Sequence, residues 1–283
     1  MEKRSIDLGR CLVRDGKADC HRCEEICPQR AIASHAVDQE ACDGCGLCTA
    51  VCPAAAIEAP EDYAEALKKT MALTPQVLMC GKASPGGVHC LGFLDRRLLW
   101  SLATKRPLSL DISRCESCRP AVFAWLQQEV TACNDALARA GKKTIALVHV
   151  KPAPPQPKKP RKVERRSFFQ ALFHSTAEGL QEIAEAQIER SFRFDASAWL
   201  RKQQAEACEL FCGLALRDGC TACGLCTVVC PTGAVVLERG EHAALHFAGA
   251  SCTRCNLCAL HCPQGALELV PHFAGQRDFS LDR

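Results

Sequence analysis

Cysteines at fixed spacing carry the chemistry of this chain. Cys220, Cys223, Cys226 and Cys230 are separated by two, two and three residues, and Pro231 follows at once. The same run returns as Cys252, Cys255, Cys258, Cys262-Pro263, and stands earlier as Cys42, Cys45, Cys48, Cys52-Pro53. Four thiolates this close wrap one stretch of backbone around a compact core. The spacing is that of ligands to [4Fe–4S] clusters. A cubane saturated by thiolate exchanges an electron but has no open iron for a substrate. The expected chemistry is therefore electron transfer.

A fourth run is incomplete. Cys20, Cys23 and Cys27-Pro28 fit its end, but position 17 is Lys. Cys11, nine residues before Cys20, is the natural substitute, because lengthening a loop costs little entropy. The alternative is a three-cysteine site with Cys11 as a core thiol. Every run is followed by Pro-x-x-Ala-aliphatic, as Pro28 to Ile32, Pro53 to Ile57, Pro231 to Val235 and Pro263 to Leu267. Proline ends the wrap and favours an extended segment. The small Ala leaves room beside the core. Cys45–Pro53 and Cys223–Pro231 are nearly identical, so the chain holds an internal repeat.

The elements that position these runs fall into blocks. Residues 5–60 and 214–272 each hold two runs. In the second block, Val235–Glu238 and Ala244–Phe247 read as a hairpin between runs, and the tail from Phe273 reads as loose. Residues 61–73 read as an exposed connecting helix. Residues 74–150 alternate strand and helix: strands at Gln76–Met79, Leu108–Ile112 and Thr144–Val150, helices at Leu94–Thr104 and Pro120–Ala140. That pattern indicates an α/β unit. Cys80, Cys90, Cys115 and Cys118 punctuate it at strand ends. Residues 151–166 carry five prolines and seven Lys/Arg and read as a stiff, solvated linker. Residues 167–213 read as helical. There Phe168, Phe169, Leu172 and Phe173 begin an apolar face that suits either the last block or a partner subunit, and Asp195 or Ser197 caps a helix running through Leu210. Cys133, Cys208 and Cys212 read as core thiols, the last two one helical turn apart.

Composition narrows the class. There are 23 cysteines in 283 residues, which would suit a disulfide scaffold in a short secreted chain. No apolar stretch follows Met1 to mark a secretory leader, and the cysteines sit in metal-ligand runs, so metal and a cytoplasmic location are expected. No apolar window is long enough for a membrane span. Net charge is only +3, which gives no reason to expect a nucleic-acid partner. Aromatics are few, with 11 Phe, 3 Trp and 1 Tyr, so bound clusters are expected to supply part of the folding energy.

On these runs, both terminal blocks resemble bacterial two-cluster ferredoxins. The resemblance implies a (βαβ)2 dicluster module at each end and a crossed fourth ligand. It implies one cluster on Cys220, Cys223, Cys226 and Cys262, and its neighbour on Cys252, Cys255, Cys258 and Cys230. It implies a further pair on Cys11, Cys20, Cys23 and Cys52, and on Cys42, Cys45, Cys48 and Cys27. The middle cysteines, with Cys90-Leu91-Gly92 before a helix, resemble thioredoxin-like [2Fe–2S] ferredoxins and the small iron–sulfur subunit of methyl-viologen-reducing hydrogenases. That implies a fifth cluster, [2Fe–2S] ahead of [4Fe–4S]. A zinc site or free thiols in another α/β docking domain is the plainer reading.

The expected fold is α+β, with two dicluster modules flanking a small thioredoxin-like domain and a helical connector. The expected function is that of a polyferredoxin subunit without a catalytic site of its own. It would relay low-potential electrons within or to a hydrogenase, formate dehydrogenase or bifurcating complex of an anaerobe. Its partners would be other subunits or soluble carriers. The alternative is a ferredoxin-linked disulfide reductase using Cys115 and Cys118. No nucleotide or flavin fingerprint and no radical-SAM run is present.

Overall fold

The computed structural model describes residues 4–14, 18–84, 87–150, 191–240 and 242–281. Strand β1 (Ser5–Ile6) pairs antiparallel with β4 (Ile57–Ala59), joining the chain before the first run to the chain after the second. Between the runs, β2 (Ile32–Ala33) and β3 (Ala36–Val37) form a hairpin. Helices α1 (Arg22–Glu25) and α2 (Leu47–Val51) each carry the third cysteine of a run and pack against one another.

Helix α3 (Tyr63–Ala72) is capped by Asp62, whose carboxylate accepts from the Glu65 amide at 3.0 Å. It is not the exposed connector expected. Tyr63 and Leu67 are buried, and Tyr63 stacks on Phe93 at 4.0 Å. One polar-looking turn hid an apolar face that only a distant partner reveals.

The middle block is a parallel sheet in the order β5 (Gln76–Leu78), β6 (Leu108–Asp111), β7 (Ala146–Val148). Helix α4 (Arg96–Lys105) starts on Asp95, which accepts from the Leu98 amide at 2.9 Å. A one-turn helix α5 (Cys115–Cys118) follows β6, and α6 (Pro120–Arg139) begins with proline at its first position, where no amide donor is needed. Leu98, Leu99 and Leu102 of α4 and Val122, Leu126 and Val130 of α6 belong to one continuous core, and the two helices pack together.

The chain returns from residue 191 to the first block. There β8 (Phe192–Arg193) adds to β4 as the third strand of its sheet. Phe194 meets Tyr63 and Phe93 edge-on at 5.9 and 5.8 Å. Helix α7 (Ala196–Lys202) is capped by Asp195 rather than Ser197. It stops at Lys202, short of Leu210, so Cys208 and Cys212 do not share a helix face. The expected linker at 151–166 and the apolar face starting at Phe168 lie outside the described residues.

The last block repeats the first. Strand β10 (Val235–Glu238) pairs with β11 (Ala244–Phe247) as the expected hairpin, and β9 (Gly213–Leu216) pairs with β12 (Leu267–Val270). Helices α8 (Leu225–Val229) and α9 (Leu257–Leu260) carry the third cysteines. The tail is not loose. Strand β13 (Asp278–Ser280) pairs with β11, and Phe273 and Phe279 are buried. A three-residue strand carries too little alternation to be read from sequence.

Candidate iron–sulfur centres

The local backbone explains the run. In three of the four runs a residue on each side of the second cysteine is left-handed. These pairs are Gly44 and Gly46, Ala222 and Gly224, and Arg254 and Asn256. Alternating left- and right-handed residues form a concave nest of amide groups suited to an anionic core. The run ending at Cys27 lacks this pair among its described residues, which fits its displaced first cysteine.

The Pro-x-x-Ala signature also has a bond behind it. The Ala amide donates to the sulfur of the fourth cysteine: Ala31 to Cys27 at 3.3 Å, Ala56 to Cys52 at 3.2 Å, Ala234 to Cys230 at 3.2 Å, Ala266 to Cys262 at 3.4 Å. The residue before each Ala is left-handed, with φ of 51° at Arg30 and Ala55, 63° at Gly233 and 58° at Gly265. Donors aimed at sulfur stabilise thiolate and tune a bound cluster.

The sequence-expected ligands gather as follows. Cys11, Cys20, Cys23 and Cys52 line one small cavity, of about 20 Å³. Burial pushes the Cys23 thiol up to about 12, with Cys52, Cys48, Cys20 and Cys11 around it. Cys27, Cys42, Cys45 and Cys48 line a second cavity of the same size, and Cys220, Cys223, Cys226 and Cys262 a third. Cys230, Cys255 and Cys258 also converge. Burial pushes the Cys258 thiol up to about 12, with Cys255, Cys230 and Cys226 as its sulfur neighbours. Cys252 neighbours Cys255, but its sulfur also contacts that of Cys212. That contact was not legible in the sequence.

The middle cysteines are together too. Cys80 follows β5, Cys90 precedes the turn at Leu91–Phe93, and Cys115 and Cys118 begin and end α5. All lie toward the carboxyl ends of parallel strands, where open α/β sheets place their ligands. Burial pushes the Cys115 thiol up to about 12, with Cys80, Cys90 and Cys118 nearby. Two cations attend the set: the Lys82 ammonium donates to the Cys118 sulfur at 3.1 Å, and Arg119 hydrogen-bonds Cys90.

Four thiolates with attendant amide donors and cations are the donor set an iron–sulfur cluster requires, so the residues fit such a group. Arginines between the sites were missed in the sequence. Arg4 is buried and bonds the Gly44 carbonyl, Glu61 and Tyr63, with Cys48 close by. Burial works against its charge, but those neighbours outweigh it and hold Arg4 above the usual arginine range. Arg119 reaches from Cys90 to Asp43, 3.1 Å away, inside the Cys42–Cys45 loop. Arg22 donates to the carbonyls of Thr253 at 3.1 Å and Arg254 at 2.7 Å. A cleft of about 390 Å³ beside this joint is lined by Cys52, Cys212 and Cys252.

Comparison with known proteins finds iron–sulfur domains at both ends of the chain. Residues 17–63 match the LdpA Fe-S cluster-binding domain, and residues 219–267 match the 4Fe-4S dicluster domain. These are iron–sulfur electron-transfer domains. A stretch of 48 residues is 40% identical to pyruvate synthase subunit PorD of Methanothermobacter marburgensis. The match takes in 17% of this chain and 59% of that relative's length. No helix among the described residues is long and apolar enough to cross a membrane.

Proposed function

We propose that the chain is a polyferredoxin subunit that passes electrons along a single line of five centres. Blocks 5–60, 74–150 and 214–272 act as cluster-binding domains. They are connected by 61–73, a linker at 151–166 and the segment 167–213. When bound, four [4Fe–4S] clusters and one [2Fe–2S] cluster would supply the one-electron carriers. The ligands are the crossed sets described above, with the middle centre on Cys80, Cys90, Cys115 and Cys118.

The observation that carries this reading is the order of the joints. Arg119 and Gly92, which packs against the Cys45 carbonyl, join the middle set to the Cys42 set. Crossed fourth ligands join the Cys42 set to the Cys11 set. Arg22 joins the Cys11 set to the Cys252 set, and Cys226 lies beside Cys258 to complete the line. Cys223, the one exposed cysteine among those described, lies at the far end. An electron entering at one end has a neighbour at each step.

The partners would be subunits of a hydrogenase, formate dehydrogenase or bifurcating complex, or soluble carriers of the cytoplasm in an anaerobe. The PorD likeness adds a pyruvate synthase to that list. A disulfide reductase working through Cys115 and Cys118 needs a dithiol, whereas Cys80 and Cys90 crowd the same sulfurs, which favours ligation. Spin coupling tests the line. In the fully reduced chain, Cys23→Ser should alter the EPR signals of the C-terminal pair as well as the N-terminal pair. C-terminal signals indifferent to that substitution would break the line in two.

A further inference from the structure

Outside the thiolate sites, one group of side chains among the described residues has metal-ligand chemistry. His21, Glu24 and His35 bring their ligand atoms within 4.8 Å of one another. We propose that they hold a divalent metal ion, zinc first, which goes beyond the relay reading. The geometry carries it. His21 Nε2 lies 2.8 Å from Asp19 Oδ1, which holds the ring from its far side, and Nδ1 faces Glu24 Oε2 at 3.2 Å. A positive charge is favoured between that nitrogen and the carboxylate, and a metal ion supplies it as a second ring proton would. With metal–ligand bonds of about 2.0–2.1 Å, tetrahedral ligand atoms stand roughly 3.3 Å apart.

His35 is prepared in the same way. Its Nε2 lies 3.3 Å from the Cys20 carbonyl, which can only accept, so the tautomer leaves Nδ1 bare. Metal-bound histidines ordinarily have their second nitrogen tied to a carboxylate or carbonyl, as both are here. The backbone amide of His35 donates to the other Glu24 oxygen at 3.2 Å, orienting the carboxylate. Ser34 and His35 form the two-residue turn of the β2–β3 hairpin with φ of 49° and 60°. That turn favours Asn-Gly. An imidazole held there suggests a use for it.

The metal would tie α1 to the β2–β3 hairpin beside Cys20 and Cys23. This is the run whose first cysteine is displaced and whose described residues lack the left-handed pair. The test uses the full chain purified anaerobically with its clusters, given one equivalent of Zn2+ and desalted. One zinc per chain should remain, with a nitrogen and oxygen shell at about 2.0–2.1 Å by X-ray absorption. His35→Asn, which tolerates the left-handed turn, and Glu24→Gln should each weaken zinc retention at least tenfold with iron and sulfide unchanged. Zinc washed away from the wild type, bound through sulfur, or kept equally by both variants would overturn the site. In that event His21 is a protonated ring between two carboxylates.

Discussion

The Arg22 guanidinium donates to the Arg254 carbonyl at 2.7 Å across 232 residues of sequence. Each residue lies between the first two cysteines that follow one another closely in its run. Leu12 and Ala54 pack with Leu257 beside this joint. The two terminal blocks are therefore in direct contact. Arg22→Ala removes two bonds and should cost about 1–3 kcal/mol. It should also weaken magnetic coupling between the two cluster pairs. Arg22→Lys should restore little, because a point charge cannot reach both carbonyls as a planar fork does. Chemical unfolding followed by cluster absorbance reads the first effect, and EPR the second.

The left-handed residue before each signature Ala gives an opposed pair of predictions. Ala55→Gly and Arg30→Gly should each stabilise the chain by roughly 0.5–1 kcal/mol, because both are left-handed with a side chain. Gly233→Ala and Gly265→Ala should destabilise by about 1 kcal/mol. A methyl at either site meets no atom within 4 Å, so the backbone alone is tested. Thermal midpoints under argon report both signs.

Gly92 sets the distance between the middle block and the Cys42 set. A methyl there would run into the Cys45 carbonyl. Gly92→Ala should cost about 1–3 kcal/mol by forcing that backbone apart. The EPR features that come from coupling of the middle centre to its neighbour should weaken. A variant as stable as the parent would show that the contact is slack.

Arg4 places a buried positive charge beside Cys48. Arg4→Met should lower the reduction potential of the cluster on Cys27, Cys42, Cys45 and Cys48, by an amount on the order of tens of millivolts. The other clusters should move less. An EPR-monitored redox titration separates them.

Cys133 is fully buried, and burial pushes its thiol up to about 12, with Cys208 and Glu129 adding to the shift. A raised thiol pKa leaves the neutral, unreactive form dominant well above pH 8. Cys133 should resist alkylation in the native chain at pH 8. Cys133→Ala should leave iron and sulfide content unchanged.

What the sequence reveals and what it hides divide along sequence distance. Ligand runs, the hairpin at Val235 to Phe247 and helix α6 are local patterns, so spacing and period alone declare them. The buried face of α3 depends on Phe93 and Phe194, the Arg22 joint on Thr253, and the Cys212–Cys252 contact on a chain reversal. None has a periodic signature. The attending cations Arg4, Lys82 and Arg119 look like ordinary surface charges until the fold turns them toward sulfur. The Pro-x-x-Ala signature was visible, but its left-handed residue and its bond to sulfur needed coordinates.

The central claim is five thiolate-held centres in one chain, and Mössbauer spectroscopy with iron and sulfide analysis tests it most directly. The full chain, labelled with 57Fe and purified anaerobically, should hold about eighteen irons, with four cubane components for every [2Fe–2S] component. Cys115→Ser should remove the minority component alone. A chain that holds only the two C-terminal cubanes, or in which Cys115→Ser changes no iron component, would contradict the account.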